Sequence, residues 1–238
     1  MRATAWEFKN RAMVFGMIFG CPFLLYAFDH QTSSVALINW VEARTSIDAT
    51  LLAHLLFAAA ACFLALAALI RTWASSYLHA DIVYASEVKS ASLVADGPYR
   101  RVRNPLYLGN IMMAVAAGAM MSRSGFVVAV ALMVLFCYRL ILREEFELRS
   151  SQGAQFEAYR RAVPRLFFSP VPRIPSSGRP ADWGAGFKAE VWFWAFPAGM
   201  AAFAITLKLG FFFGGAAVSL AIFWLLSYAR RRKTRPQS

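Results

Sequence analysis

The number of long apolar runs in this chain constrains its fold more than any other feature. A helix that crosses roughly 30 Å of hydrocarbon needs about 20 apolar residues. Six runs in the 238 residues approach that length: 13–28, 51–70, 106–121, 125–142, 189–207 and 210–228. A soluble domain has no use for so many, and it carries about 25% charged residues, whereas this chain carries 16%. The expectation is an all-α integral membrane protein with about six transmembrane helices. The first run ends in FDHQTSS without an Ala-x-Ala site, so it reads as a retained span and not as a cleaved leader.

Charge orders these spans. The formal net charge is +12, which in a soluble chain could mean nucleic acid. Here the basic residues border apolar runs, so topology accounts for them and no nucleic-acid partner is expected. With the N-terminus in the cytoplasm, the outer loops hold Arg44, Arg123 and Lys208, and the other 22 of the 25 basic residues fall inside or at the inner boundary. That is the asymmetry of the positive-inside rule. It predicts six spans with both termini cytoplasmic, in the inner membrane if the source is bacterial. The tail RRRKTR reads as a topology determinant beside anionic lipid.

The runs 106–121 and 125–142 are joined by three residues, and 189–207 and 210–228 by two, so each pair should form a helical hairpin. Cys21, Cys62 and Cys137 all lie in apolar runs with no CxxC or histidine spacing. They predict neither a disulfide framework nor a metal site, and buried inert thiols are the expectation. Gly16-x-x-x-Gly20 is a small-residue pattern that can mediate helix contact, and Pro22 and Pro197 should kink their helices.

Two cytoplasmic segments are long, 71–105 and 143–188, and long polar connections are where function sits. The second begins as an extension of the fourth helix. It breaks near Gly153 and continues as a short amphipathic helix to Val163. Prolines 164, 170, 172, 175 and 180 then forbid continuous helix, so this part should lie as an extended strap.

The first long segment ends in GPYRRVRNPLYLG, residues 97–109. Asn104 is a good N-cap residue, and Pro105 suits the first helical turn. The helix start thus offers unpaired N–H groups and a positive dipole end. With Arg103 beside it, this is an anchor for carboxylate or phosphate; Tyr99 and Tyr107 add amphipathic surface. Routine interfacial anchoring is the competing explanation. The second element is Arg143-Glu144-Glu145. Successive helical residues point about 100° apart. Glu145 is expected to pair with Arg149 at i+4, leaving Glu144 the freer carboxylate. The hairpin must bring the loop and the two acids together at one membrane face.

GPYRRVRNPLYLG followed by REEFELRSSQGAQFEAYRRAVPR resembles the isoprenylcysteine carboxyl methyltransferase and phospholipid methyltransferase superfamily. Its pattern is G-P-Y-x-x-x-R-H-P-x-Y-x-G, then E-E-x-x-L, then F-G-x-x-Y-x-x-Y. The corresponding residues are Gly97, Pro98, Tyr99, Arg103, Asn104, Pro105, Tyr107 and Gly109, then Glu144, Glu145 and Leu148, then Gly153, Phe156 and Tyr159. The resemblance covers about residues 93–172. It implies a membrane methyltransferase that uses S-adenosyl-L-methionine on a lipophilic small-molecule or lipid acceptor drawn from the bilayer. It further implies a cofactor site of Tyr99, Arg103, Asn104, Pro105, Tyr107, Gly109, Glu144, Glu145 and Tyr159, with Arg103, Asn104 and Glu144 nearest the chemistry and Arg165 on the strap helping to close the pocket. Asn104 stands where the family has histidine. Asparagine cannot titrate near neutrality, which favours a carboxylate or thiolate acceptor, or a structural role for this position. His30, His54 and His79 are not placed to substitute, and His54 should be a packed helix residue.

The chain then divides into an N-terminal region (1–92), a methyltransferase core (93–175) and a C-terminal hairpin with basic tail (176–238). The acceptor is left open between a prenylcysteine-like carboxylate, a phospholipid amine and a small thiol. A membrane reductase using NADPH and a non-catalytic membrane module are the competing classes. The sequence leaves oligomeric state open.

Overall fold

The computed structural model describes residues 2–78 and 94–233, with side chains through residue 229. His79 and the basic tail beyond Ala229 lie outside the described side chains. Within them the chain is nearly all helix and forms no strand, only an isolated bridge between Thr32 and Ser122.

Helix α1, Ala5–Lys9, starts with a complete capping box between Thr4 and Glu7. Helix α2, Arg11–Gly20, tightens into a 3-10 segment at Cys21–Ala27 where Pro22 withdraws a backbone donor. Helix α3 is Ser33–Glu42, capped by Thr32, and α4 is Ala49–Ser75, capped by Asp48. After the 3-10 turn Gly97–Arg100 come α5, Pro105–Gly118, and α6, Arg123–Ala162. Helices α7, Trp183–Thr206, and α8, Leu209–Lys233, complete the chain.

Among the described residues four helices are long and apolar enough to cross a membrane: Ala49–Ser75, Arg123–Ala162, Trp183–Thr206 and Leu209–Ala229. The protein is therefore read as multi-pass. The other two expected spans are only short apolar helices, Arg11–Ala27 and Pro105–Gly118. Pro22 tightens the first, and a turn after Gly118 ends the second, so of the six expected spans four reach full length among the described residues. Residues 29–48, expected as loop, contain α3.

Both hairpins form. The α5–α6 turn is fastened from outside by Asp29, which accepts from the Ser124 amide (2.8 Å) and from Arg123. The main core lies between α4, α5 and α7, around Leu64, Ala67, Met113, Phe193 and Met200. Gly186 lets α7 touch α4: a Cβ there would lie 2.7 Å from the Thr72 carbonyl oxygen. Helix α8 leans on α7 at Gly199 and Gly215 and is otherwise largely exposed.

A second core joins the N-terminal helices to α6 through Phe8, Ile18, Met133, Phe136 and Leu140. The Ala3 amide donates to the Arg139 carbonyl (3.0 Å), and Arg139 grips both Glu7 oxygens at 2.7 and 2.9 Å. That grip holds the Glu7 carboxyl at a pKa of about 2.

Smaller expectations divide. α7 continues through Pro197 as one helix. His54 is packed as expected, its ring against the Ala204 carbonyl. Cys137 is buried, but Cys21 and Cys62 are exposed on the outer surface, contrary to the expectation for all three. Gly16 and Gly20 meet no neighbour of their own chain within 4 Å of an added Cβ among the described residues.

Candidate functional site

The loop 97–104 and the end of α6 do meet. Gly97 has φ +58° and lies so close to the Tyr77 ring that a Cβ would collide with it. From this turn the chain passes Tyr99 and Arg103 and enters α5 at Pro105 as its first residue. Asn104 does not cap the helix. Its amide instead donates to the Arg165 carbonyl across the strap (3.0 Å), so the expected cap is corrected to a tie between loop and strap.

Arg103 is nearly buried and fully committed to the protein. Nε and Nη2 donate to Glu145 Oε1 at 3.1 and 3.0 Å. Nη1 donates to the Arg160 carbonyl (2.6 Å) and to the Val163 carbonyl. These carbonyls are at the end of α6, where a cation is favoured by the helix dipole. Glu145 also accepts from Arg165 at 3.1 and 2.7 Å. The expected Glu145–Arg149 pair is therefore wrong: Arg149 bonds Glu157 instead. Two guanidiniums from distant parts of the chain outcompete the neighbour one turn away.

Glu144 points elsewhere, as a neighbouring helical residue must. Its Oε1 accepts from the Tyr107 hydroxyl at 2.6 Å. The Tyr159 hydroxyl donates to the Tyr99 carbonyl (2.9 Å), and burial pushes the Tyr99 phenol well above its usual pKa range. Past the break at Gly153 (φ +51°), the second part of α6 packs Phe156, Tyr159 and Val163 behind the loop.

The strap after Val163 is helix-free to Asp182. It is fastened along the loop by main-chain bonds: Arg103 N to Pro164 O (2.9 Å), Ser169 N to Arg101 O (3.1 Å) and Arg173 N to Arg100 O (2.8 Å). Asp96 accepts from Ser176 and Ser177. Burial alone would raise the Asp96 carboxyl, but these donors outweigh it and hold the pKa below the ordinary value.

One cavity of about 510 Å3 unites most of these groups. Tyr99, Arg103, Asn104, Pro105, Tyr107, Glu144 and Tyr159, all expected at the site, line its polar end. Gly109 and Glu145 are not among its lining. Gly109 faces the Arg71 stem, where a Cβ would lie 2.5 Å from Cγ, and Glu145 is behind the loop. Most of the remaining lining is apolar: Phe19, Phe23, Phe212 and Phe213, with the Phe23 and Phe213 rings in contact, and Met113 along α5. Gly16 and Gly20 border this part, and their missing side chains widen it.

The sequence reading missed a buried ion pair. Arg71 on α4 donates from Nε to Glu190 Oε2 on α7 at 2.7 Å, with side chains 6% and 0% exposed. Arg71 Nη1 donates to Asn110 Oδ1 (2.6 Å) and the Leu106 carbonyl (3.0 Å), and Ser75 donates to Glu190 Oε1 (2.8 Å). The available signal was one charge in or beside each of two apolar runs, because ionisable residues there pair with one another when buried; the sequence did not say that these two meet.

Residues 55–151 match the family model described as phospholipid methyltransferase. This segment, less than half of the chain, is similar to that family. Its match takes in most of α4, the loop, α5 and both glutamates, and stops before Gly153 and the strap. The chain is also similar to the nickel-cobalt-cadmium resistance protein NccN of Alcaligenes xylosoxydans xylosoxydans, 30% identical over 134 residues, which are 56% of this chain and 60% of that protein. The cobalt-zinc-cadmium resistance protein CzcN of Cupriavidus metallidurans is 29% identical over 120 residues, 50% of this chain and 52% of its own length. The chain thus spans between half and two thirds of these curated relatives. No solved structure matches it. Among the described residues no group of three or more His, Cys, Asp or Glu could hold a metal ion.

Proposed function

We propose that this protein is a member of the phospholipid methyltransferase family, an S-adenosyl-L-methionine-dependent methyltransferase acting on a lipophilic acceptor, in the manner of isoprenylcysteine carboxyl methyltransferases. The observation that carries the reading is one cavity with two chemically different ends. Its polar end is built by the loop and by Glu144, and its inner end is walled by aromatic rings. A zwitterionic, hydroxyl-rich cofactor suits the first and an acyl or prenyl chain the second. The donor set fits such a cofactor. Glu144 offers a carboxylate to an ammonium or ribose hydroxyls, while Asn104 and Tyr99 border the same space.

When bound, the cofactor supplies a methyl group already activated on a sulfonium. The chain's task is alignment, which can contribute several kcal/mol, and exclusion of water. Tyr107 holds one Glu144 oxygen, so the carboxylate keeps a fixed direction. Arg103 and Glu145 act behind the wall, fastening the end of α6 to the loop and strap. Asn104 has no titratable proton near neutrality, consistent with an acceptor that reacts as an anion. We further propose, from the charge asymmetry, that both termini and the strap face the cytoplasm.

The test is binding of S-adenosylhomocysteine to the full chain in a non-ionic detergent by titration calorimetry, with NADPH in parallel. Saturable binding of the first alone supports the proposal; binding of NADPH alone refutes it. Membranes incubated with methyl-labelled cofactor then report the acceptor: base-labile label marks an ester, base-stable label marks nitrogen or sulfur.

A further inference from the structure

Arg71 is the one arginine of the cavity lining that lies within a candidate membrane-spanning helix among the described residues. Buried ion pairs are rarely chosen for stability, because replacing both partners with apolar residues often stabilises. Charges inside a membrane helix therefore point to use.

The surroundings show what use. Helix α5 serves as a ruler along the cavity. Asn104 and Tyr107 are at the polar end; at about 1.5 Å per residue Asn110 lies about 9 Å deeper than Asn104 and roughly 4.5 Å deeper than Tyr107, and Arg71 bonds it there. Met113 and Ala117 continue the wall for roughly another 10 Å of helix, Met121 follows just past the helix end, and all of them line the cavity. Arg71 thus stands where polar lining gives way to apolar lining. Glu190, Asn110 and the Leu106 carbonyl fix its guanidinium through Nε and Nη1; among the described residues no hydrogen bond uses Nη2. Its Cζ is 4.9 Å from the Phe193 ring centre and 5.5 Å from that of Trp192. Gly109 makes room for its stem. The other cations bordering the cavity are differently employed. Arg103 is committed to Glu145 and the α6 carbonyls, and Arg11 donates to the Phe8 carbonyl and lies over the Phe8 ring.

We infer that Arg71, oriented by Glu190 and Asn110, recognises an anionic group (a carboxylate or a phosphate ester) on a single-chain amphiphilic acceptor and so sets the depth at which that acceptor lies. The inference deepens the methyltransferase reading and rests on it. The fixed guanidinium offers directed N–H donors to an anion, and the ring-walled space beyond takes the chain. Glu190 cancels the charge at long range, so recognition is short-range and favours an anion over a neutral headgroup of equal chain length.

The test uses the full chain in dodecyl maltoside, with binding of dodecanoate, dodecyl phosphate and dodecanol measured by equilibrium dialysis and S-adenosylhomocysteine by calorimetry. The parent is expected to bind one of the anions about tenfold or more tighter than dodecanol, and the preferred anion tells carboxylate from phosphate. Arg71→Met alone leaves Glu190 buried without its partner, so the decisive variant is Arg71→Met/Glu190→Met, which removes both charges. It should lose the anion preference while its S-adenosylhomocysteine affinity stays within about twofold of the parent's. Glu190→Gln should sharpen the preference. No anion preference in the parent, or a preference that survives in the double variant, overturns the inference. An equal fall in S-adenosylhomocysteine affinity in the double variant also overturns it, by assigning Arg71 to the cofactor. A parent that shows the anion pattern but never binds S-adenosylhomocysteine refutes the methyltransferase reading separately.

Discussion

Glu144 and Glu145 are chain neighbours with opposite duties, and exchanging each for glutamine separates them. Glu145, with a side chain 10% exposed, accepts four hydrogen bonds from two guanidiniums. Glutamine keeps the shape but turns an amide N–H2 toward donors and removes the charge. Breaking a buried pair by neutralising one partner costs about 3–5 kcal/mol. The Arg165 side chain is 28% exposed, so its share is softened by water, and a loss of about 3 kcal/mol is the working figure. Among the described residues Glu144 has one hydrogen bond, from Tyr107, and glutamine can still accept it. Its loss of stability should stay near 1 kcal/mol, while S-adenosylhomocysteine affinity falls about tenfold, or 1.4 kcal/mol. Thermal unfolding in detergent and calorimetric binding read the two quantities on the same preparations. A Glu145→Gln protein as stable as the parent, or a Glu144→Gln protein that binds unchanged, would refute the division.

Three further outcomes are expected. Gly186→Ala forces a methyl to within 3 Å of three backbone atoms of α4 and should destabilise by about 1–3 kcal/mol in the same unfolding assay. Tyr159→Phe leaves the Tyr99 carbonyl without its donor and should cost about 1 kcal/mol, with Arg103 and its bonds intact. Glu7 has a depressed pKa, so the contribution of its Arg139 pair is present above the ordinary value of 4.5 and is lost as pH falls toward about 2. Carbon-13 NMR of the Glu7 carboxyl should show a midpoint near 2, and a midpoint near 4.5 would mean that the N-terminal clamp is open.

Much of this arrangement was legible because it follows from short connections. Three residues between two apolar runs compel a hairpin, and a hairpin compels the loop and the acids to one face. Gly153 and the prolines after Val163 announced the break and the strap through backbone chemistry alone. What stayed hidden depends on tertiary competition. Arg149 sits at the favoured i+4 distance from Glu145, yet Arg103 and Arg165 win because they arrive with several donors each. Asn104 looked like a cap, but the strap carbonyl of Arg165 drew its amide away. Arg71 and Glu190 were each read only with their own segment, and nothing local says that α4 and α7 lie side by side. The two short helices look like spans by composition; their length is set by Pro22 and by the turn after Gly118.

Between residues 164 and 173 the strap is held to the loop by its peptide groups, and its side chains take over only at Ser176 and Ser177. Phe167, 87% exposed, sits between two of those fastenings and contributes to neither. Residues at such positions are free to vary with whatever meets the protein on that side, without disturbing the wall behind them. One pocket can thus be presented beneath many different exteriors.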